Sequence, residues 1–365
     1  MLILLVFLFM DHQEKEGYFK GRGAQLNPNN KFLQNKYVTE FEEGLDEPFL
    51  QNSKTQFLSE TPKNIVSQSN SPDLSFNYSI NPYQGCEHGC IYCYARNSHE
   101  YYGFSAGLDF ERKIIVKHNA AQLLEKYLNK KNYQPAVIAL SGNTDCYQPI
   151  EKKLKITRSL LEVFLKYRHP VSIITKNNLI LRDLDLVAEL AKLDLIHVNI
   201  SITSLSEDLR LKLEPRTVTA AGRLNVIKKL AEAGVPVRVM VAPIIPGLNS
   251  HEITAIIHSA AANGACAAAY TIVRLNGSIG AIFTDWIYKA FPDRAEKVLH
   301  QIENCHGGKL NDSRWGTRKT GDGNIAASIQ QLFAIACKKY LNGREMTAYN
   351  LNHFANRNGQ QTYLF

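Results

Sequence analysis

Three cysteines stand together in the stretch Gly85-Cys86-Glu87-His88-Gly89-Cys90-Ile91-Tyr92-Cys93-Tyr94-Ala95, separated by three residues and then by two. Thiolates so spaced can reach one metal centre. Three of them suit a cubane [4Fe–4S] cluster whose fourth iron stays open to another ligand, since a fourth thiolate would close it. Zinc is the competing occupant, with His88 or His99 as a fourth ligand. Structural zinc sites favour paired Cx₂₋₄C units, however, and no second pair follows downstream. Seven cysteines in 365 residues are too sparse for a disulfide framework.

The length leaves room for one large domain or two smaller ones with an ample core. Hydrophobic residues make up 45% and charged residues 21%, the balance of an ordinary soluble globular protein. Lysine and arginine exceed aspartate and glutamate by 42 − 34 = 8, a surplus that suits a polyanion such as nucleic acid. The apolar run Met1 to Met10 is too short to cross a bilayer. It also lacks the basic start and small-residue cleavage site of a signal peptide. We therefore expect a start assigned too early, with Met10 the true start, and keep a short membrane-attaching segment as the alternative. Thiolates feeding a reducible centre make the cytoplasm the natural compartment.

The elements that must position the cysteines begin near Ser75. Residues 1–74 read as a polar arm with little apolar periodicity. Within it, Lys20-Gly21-Arg22-Gly23-Ala24 pairs two cations with backbone freed by glycine, a pattern that suits phosphate or a flexible basic linker. Strands are expected over Phe76–Ile80, Ala136–Leu140, Val171–Thr175, Leu195–Ile202, Val235–Ala242 and Ala267–Val273. Helices are expected over Ala120–Lys130, Leu154–Tyr167, Arg182–Leu193, Ala220–Ala233 and His251–Asn263, the fourth of these stopped by Gly234. Alternation of this kind demands parallel pairing and right-handed crossovers. A doubly wound sheet and a barrel both satisfy it. Helices over Phe291–Glu303 and Ile325–Tyr340 extend the domain of residues 75–290 into a C-terminal helical extension, residues 291–342. Residues 343–365 read as a flexible polar tail.

Residues just past the strands are the natural chemical positions in a barrel. They are Ser141 to Pro149, Lys176, Ser201, Ala242 to Asn249, and Arg274. With the cysteine loop and its Tyr92, this chain resembles the radical S-adenosylmethionine (SAM) enzymes, and within them the spore photoproduct lyase branch. The motifs that carry the resemblance are Asn81-Pro82-Tyr83, Thr144-Asp145 with Tyr147-Gln148-Pro149, Ser172-Ile173-Ile174-Thr175-Lys176, Leu213-Glu214-Pro215-Arg216, and Met240 through Asn249. The resemblance runs from about Gly21 to about Arg318. It implies an open, partial (β/α)₆ TIM-like barrel, an α/β fold, with the cluster at the strands' C-terminal mouth. It makes Cys86, Cys90 and Cys93 the ligands of a [4Fe–4S] cluster and SAM the second cofactor. By position, Tyr92 would contact the adenosine, Thr144 and Asp145 the amino acid end of SAM, and Lys176 its carboxylate. Ser201 would meet the ribose or carboxylate, Ala242 the adenine through its backbone, and Arg216 an anion.

The resemblance also implies a reaction. An electron from the reduced cluster breaks the C5′–S bond of SAM and yields a 5′-deoxyadenosyl radical, with the protein supplying position and dryness. An external donor of flavodoxin or ferredoxin type is implied. The sequence departs from the lyase at one point. The lyase's hydrogen-donating cysteine falls at Gly142 here, and Cys146, on the same loop, is the candidate replacement. The departure argues against thymine-dimer repair as such. The chain ends Gln361-Thr362-Tyr363-Leu364-Phe365, a Q-x-x-L-F pattern resembling the peptides that dock on the bacterial sliding clamp. With the basic charge it favours a radical SAM enzyme acting on DNA or another nucleic acid. Modification of a metabolite, peptide or protein, and a non-enzymatic cluster- or zinc-binding DNA-interaction protein, are the alternatives. Tyr94 and Tyr147 are candidates for stacking on bases.

Overall fold

Short apolar runs separated by amphipathic helices pair as parallel strands in a computed structural model of the protein, which describes residues 21–33, 54–74 and 76–355. The strands in chain order are β1 (Gln56–Glu60), β2 (Val66–Gln68), β3 (Tyr78–Ile80), β4 (Tyr83–Gln84) and β5 (Lys113–Lys117). They continue with β6 (Ile138–Leu140), β7 (Val171–Thr175), β8 (Ile196–Ser201), β9 (Val237–Ile244) and β10 (Ala267–Ile272). The main sheet has the order β10-β9-β8-β7-β6-β3-β2. All pairs from β3 to β10 are parallel, and β2 adds an antiparallel edge on β3. The sheet is open, as in a partial TIM-like barrel. Its six parallel strands match the six read from the sequence, with ends displaced by up to two residues; most stop short of the expected run, and β9 continues past Ala242 to Ile244.

The helices Ala120–Leu128, Ile156–Lys166, Leu184–Lys192, Ala220–Glu232 and Ile253–Ala262 carry the chain between parallel strands. Each lays an apolar face on the sheet; Leu160, Leu161 and Phe164 of the second are fully buried, at the spacing of one helical face. The helix Gly323–Tyr340 covers the open side at β10, where Phe333 meets Tyr270 at 4.5 Å between ring centroids.

Two polar segments are built into the domain. Arg22, Gly23, Ala24 and Gln25 are buried against the cysteine loop. A Cβ at Gly23 would stand 1.7 Å from the Gly89 carbonyl oxygen, so only glycine permits that approach. A small second sheet, β1-β5-β4, flanks the same loop. At the other end of the molecule, residues 344–355 run across the N-terminal ends of the main strands. Arg344 donates to the carbonyls of Ala261 and Ala265, and the amides of Asn350 and Ala355 donate to Asp194 and Tyr167. Polarity hid both segments, because their partners are backbone groups and rings distant in sequence. The Met1–Met10 run and the Gln361–Phe365 motif lie outside the described residues. Among the described residues no helix is long and apolar enough to cross a membrane.

Candidate active site

The cysteine loop follows β4 and lies over the C-terminal ends of the parallel strands, where loops from three directions hold it. Its Cys86 amide donates to Phe110, its Ile91 amide to Leu213, and its Glu87 amide to the Gln148 side chain. Beneath it the carboxylate of Glu111 accepts from Arg96 at 2.5 Å and from the amides of Gly23 and Ala24 at 3.2 and 2.8 Å. Arg96 is fully buried and also donates to the Cys90 carbonyl. Gly23 and Ala24 thus buttress the cysteine loop, and their amides meet a carboxylate rather than a phosphate.

Cys86 and Cys90 are buried and Cys93 is half-buried, all three as free thiols. Burial pushes each thiol pKa up, that of Cys90 to about 12, with Glu214 adding to the rise and Lys176 opposing it. A desolvated thiolate needs nearby positive charge, and a metal centre supplies it. Among the described residues no three His, Cys, Asp or Glu side chains converge as a single ion would require. Cluster ligands stand farther apart, because irons and sulfides lie between them. His88 is engaged elsewhere: Nδ1 lies 3.4 Å from Asp145 Oδ2 and Nε2 lies 3.2 Å from Asn177 Nδ2. His99 sits between the rings of Phe104 and Phe110. The thiols therefore fit a three-cysteine cluster better than zinc with a histidine ligand.

Around the thiols, Lys176 follows β7. Its ammonium stands 6.0 Å from the Tyr92 ring centroid. Burial opposes its charge, but Cys90 and Glu214 outweigh burial and raise its pKa. Asp145 ties the loop after β6 to the end of β7: its carboxylate accepts from the Thr175 hydroxyl at 2.8 Å, the Tyr147 amide at 2.8 Å and the Lys176 amide at 2.9 Å. Burial would raise the Asp145 pKa, yet His88 and these donors hold it below the usual carboxylate range. Thr144 donates its hydroxyl to the Tyr83 carbonyl at 2.6 Å. Ser201 ends β8, and its carbonyl accepts from Arg223 at 2.9 Å. The Ala242 carbonyl, on β9, lies 3.2 Å from the Thr203 hydroxyl.

Three expectations change. Arg216 is exposed and its Nε donates to the Gly21 carbonyl at 3.2 Å, so it joins the loop to the N-terminal segment. Cys146 is fully buried in the main core with Tyr83 and Tyr147, and its flanking backbone is held by Ser141 and Thr157. It packs behind the mouth instead of opening onto it. Tyr147 is also fully buried, its hydroxyl 3.2 Å from Asp183, and offers no face to a base. Tyr94 is 56% exposed and donates to the Gly142 carbonyl, leaving its ring open to solvent at the loop's edge.

The residue passed over is Glu214, fully buried behind Tyr92. It accepts from the hydroxyls of Tyr92 and Thr203 and pairs with Arg223. Burial works against its charge, but Arg223 and Lys176 prevail and bring its pKa down to about 2. A signal existed in the sequence: Arg223 shares a helical face with the buried Val226, Ile227 and Leu230. A cation on an apolar face calls for a buried partner.

Comparison with known proteins follows this geometry. The family model described as the Radical SAM superfamily matches residues 80–260. An uncharacterized protein of Mycobacterium tuberculosis is 34% identical over 226 residues, 61% of this chain and 66% of that one; the chain thus spans just under two thirds of this relative. An uncharacterized protein of Methanocaldococcus jannaschii is 33% identical over 198 residues, 54% of this chain and 71% of that one. Among solved structures, spore photoproduct lyase complexed with dinucleoside spore photoproduct superposes with a TM-score of 0.59 at 18% identity, covering 80% of this chain and 82% of that one. A variant of that lyase with bound AdoMet and the same dinucleoside gives 0.58 at 17% identity, covering 82% and 84%. At these identities the structures share the fold. Motif, family model and fold agree, and the chain belongs to the radical SAM superfamily, whose members use a [4Fe–4S] cluster and SAM.

Proposed function

We propose that this protein is an enzyme that cleaves SAM reductively at a [4Fe–4S] cluster and directs the resulting radical at a nucleic acid, as lesion repair or base modification. The observation that carries the first half is the placement of three cysteines on one loop at the C-terminal mouth of a parallel sheet, with Lys176 close enough to Cys90 and Cys93 to favour their thiolates. When bound, the cluster supplies one electron that breaks the C5′–S bond of SAM. The chain's own residues do the rest. Cys86, Cys90 and Cys93 would hold three irons. Lys176 presents a cation for the SAM carboxylate, and Tyr92 offers a wall to the nucleoside. Asp145 fixes the end of β7 so that Lys176 keeps its place. The loop's burial keeps water away from the reacting atoms.

The nucleic acid half rests on the formal charge of +8 and on the Gln361–Phe365 pattern, which suits docking on the sliding clamp. The absence of a cysteine at Gly142 points to a substrate other than the thymine dimer. The open ring of Tyr94 beside Gly142 provides an exposed aromatic face on which a base can stack. A flavodoxin- or ferredoxin-type protein would deliver the electron.

The test is anaerobic reconstitution of the full chain, reduction with dithionite in the presence of SAM, and chromatography of 5′-deoxyadenosine, with Cys90→Ala in parallel. Cysteine-dependent 5′-deoxyadenosine that rises when DNA is added is the expected result. A cluster-loaded wild type that forms none would remove the enzyme reading. Formation indifferent to DNA and to RNA would leave a radical SAM enzyme with another substrate class.

A further inference from the structure

The Glu214 network is built more rigidly than packing alone requires. One carboxylate oxygen accepts from Thr203 at 2.7 Å and from the Tyr92 hydroxyl. The other accepts from Thr217 at 3.3 Å and from Arg223. Arg223 is itself anchored, donating to the Ser201 carbonyl at 2.9 Å, the Val218 carbonyl at 2.9 Å and the Thr217 hydroxyl at 2.6 Å. Glu214 and Arg223 are both fully or almost fully buried. An ion pair in such a place is often no more stabilising than well-packed apolar side chains of the same volume, because both charges lose their water. It does fix direction, which apolar packing does not.

The group that receives this direction is Tyr92. Its loop neighbour Ile91 donates its amide to the Leu213 carbonyl at 3.0 Å. Its hydroxyl reaches Glu214, the next residue after Leu213. The ring is therefore held at its backbone end and at its tip by two consecutive residues at the C-terminal end of the helix Glu207–Leu213, which follows β8. A phenylalanine would fill the same space without the second hold.

We propose that Glu214 is a positioning residue: acting through the Tyr92 hydroxyl, it sets the tilt of the ring that forms the wall of the SAM nucleoside site. The inference rests on the SAM-binding reading above. The Thr203 hydroxyl, which also lies 3.2 Å from the Ala242 carbonyl, ties the same carboxylate to β9, so the ring and that strand share one anchor.

The experiment uses the full chain with its cluster reconstituted, and measures SAM affinity by equilibrium dialysis, iron content, thermal unfolding and the EPR spectrum of the reduced cluster with and without SAM. Glu214→Gln, Tyr92→Phe and the double variant are compared with wild type. Each single variant is expected to keep its iron, weaken SAM binding about tenfold and alter the SAM-induced change in the EPR spectrum. The double variant should be no weaker than the weaker single, because both act through one bond. Iron-loaded Glu214→Gln that binds SAM as wild type does would overturn the proposal, and so would multiplying effects in the double. If Glu214→Gln does not fold, Tyr92→Phe carries the test: unchanged affinity and spectrum overturn the proposal, while a tenfold loss sustains it. Failure of the cluster-loaded wild type to bind SAM would show in the first sample and would remove the SAM-binding reading together with this one.

Discussion

At the C-terminal ends of the strands buried carboxylates face basic side chains: Glu214 with Arg223, Glu111 with Arg96, and Asp145 with His88. At the N-terminal ends a buried His169 meets the Tyr133 hydroxyl at 2.8 Å, the Pro170 carbonyl at 2.9 Å and the rings of Phe164 and Phe354. Among the described residues, nothing at that end sets a buried cation against a buried anion. Burying an ion costs several kcal/mol even after relaxation, so the contrast shows where the fold accepts that cost. The mouth spends it to hold directions around the cysteines. The opposite end closes over with rings and the segment 344–355, as barrels reserve one end for chemistry and the other for stability.

Substitutions can break this contrast or sharpen it. Cys86→Ala, Cys90→Ala or Cys93→Ala should abolish 5′-deoxyadenosine formation and cut iron content sharply, while leaving the opposite end intact by hydrogen exchange. Glu111→Ala leaves Arg96 buried and unpaired and strips the Gly23 and Ala24 amides of their acceptor. We expect a loss of about 3–5 kcal/mol in urea unfolding, with hydrogen-exchange protection lost first at residues 22–25 and 86–96.

The N-terminal end yields a pH effect of comparable origin. Burial lowers the His169 pKa from its ordinary value to about 4. The folded state therefore favours the neutral ring, and the unfolded chain binds the proton first as pH falls. This contribution is whole above about pH 6.5 and is lost as pH drops through about 4, by on the order of 3 kcal/mol. Urea unfolding between pH 7 and 4 should show His169→Phe losing less stability than wild type over that window. An equal slope in both proteins would place the titration elsewhere. The smallest effect is expected for Arg344→Ala, which removes two bonds to carbonyls: about 1–2 kcal/mol of stability with 5′-deoxyadenosine formation unchanged. A fall in that activity would show that the two ends are coupled.

How much was legible without the structure follows the same division. Strands such as Val171–Thr175 and Ile196–Ser201 announce themselves because β-branched residues recur at every second position, the spacing of one buried strand face. The cysteine spacing announced its chemistry because ligands on one short loop must be local. Lys176 was legible as the residue after a strand. Glu214 was not, although it stands in a stretch singled out for its neighbour Arg216. Which of the two charged residues flanking Pro215 turns inward depends on Arg223, whose partner cannot be read along the chain. Cys146 and Tyr147 illustrate the reverse. Their loop position suggested the mouth, and the loop's path folds them into the core.

By itself, the sequence determined the metal-binding loop, the alternation that forces a parallel sheet, and the places where loops follow strands, because each depends on residues near one another in the chain. Only the tertiary structure decided which side chains meet across those loops: Gly23 against Gly89, Glu111 beneath Arg96, Glu214 behind Tyr92, and residues 344–355 over the far end. These contacts join segments tens to hundreds of residues apart, and their polarity gives no periodic signal. They exist because a buried charge or amide must find its partner wherever the fold brings one within reach.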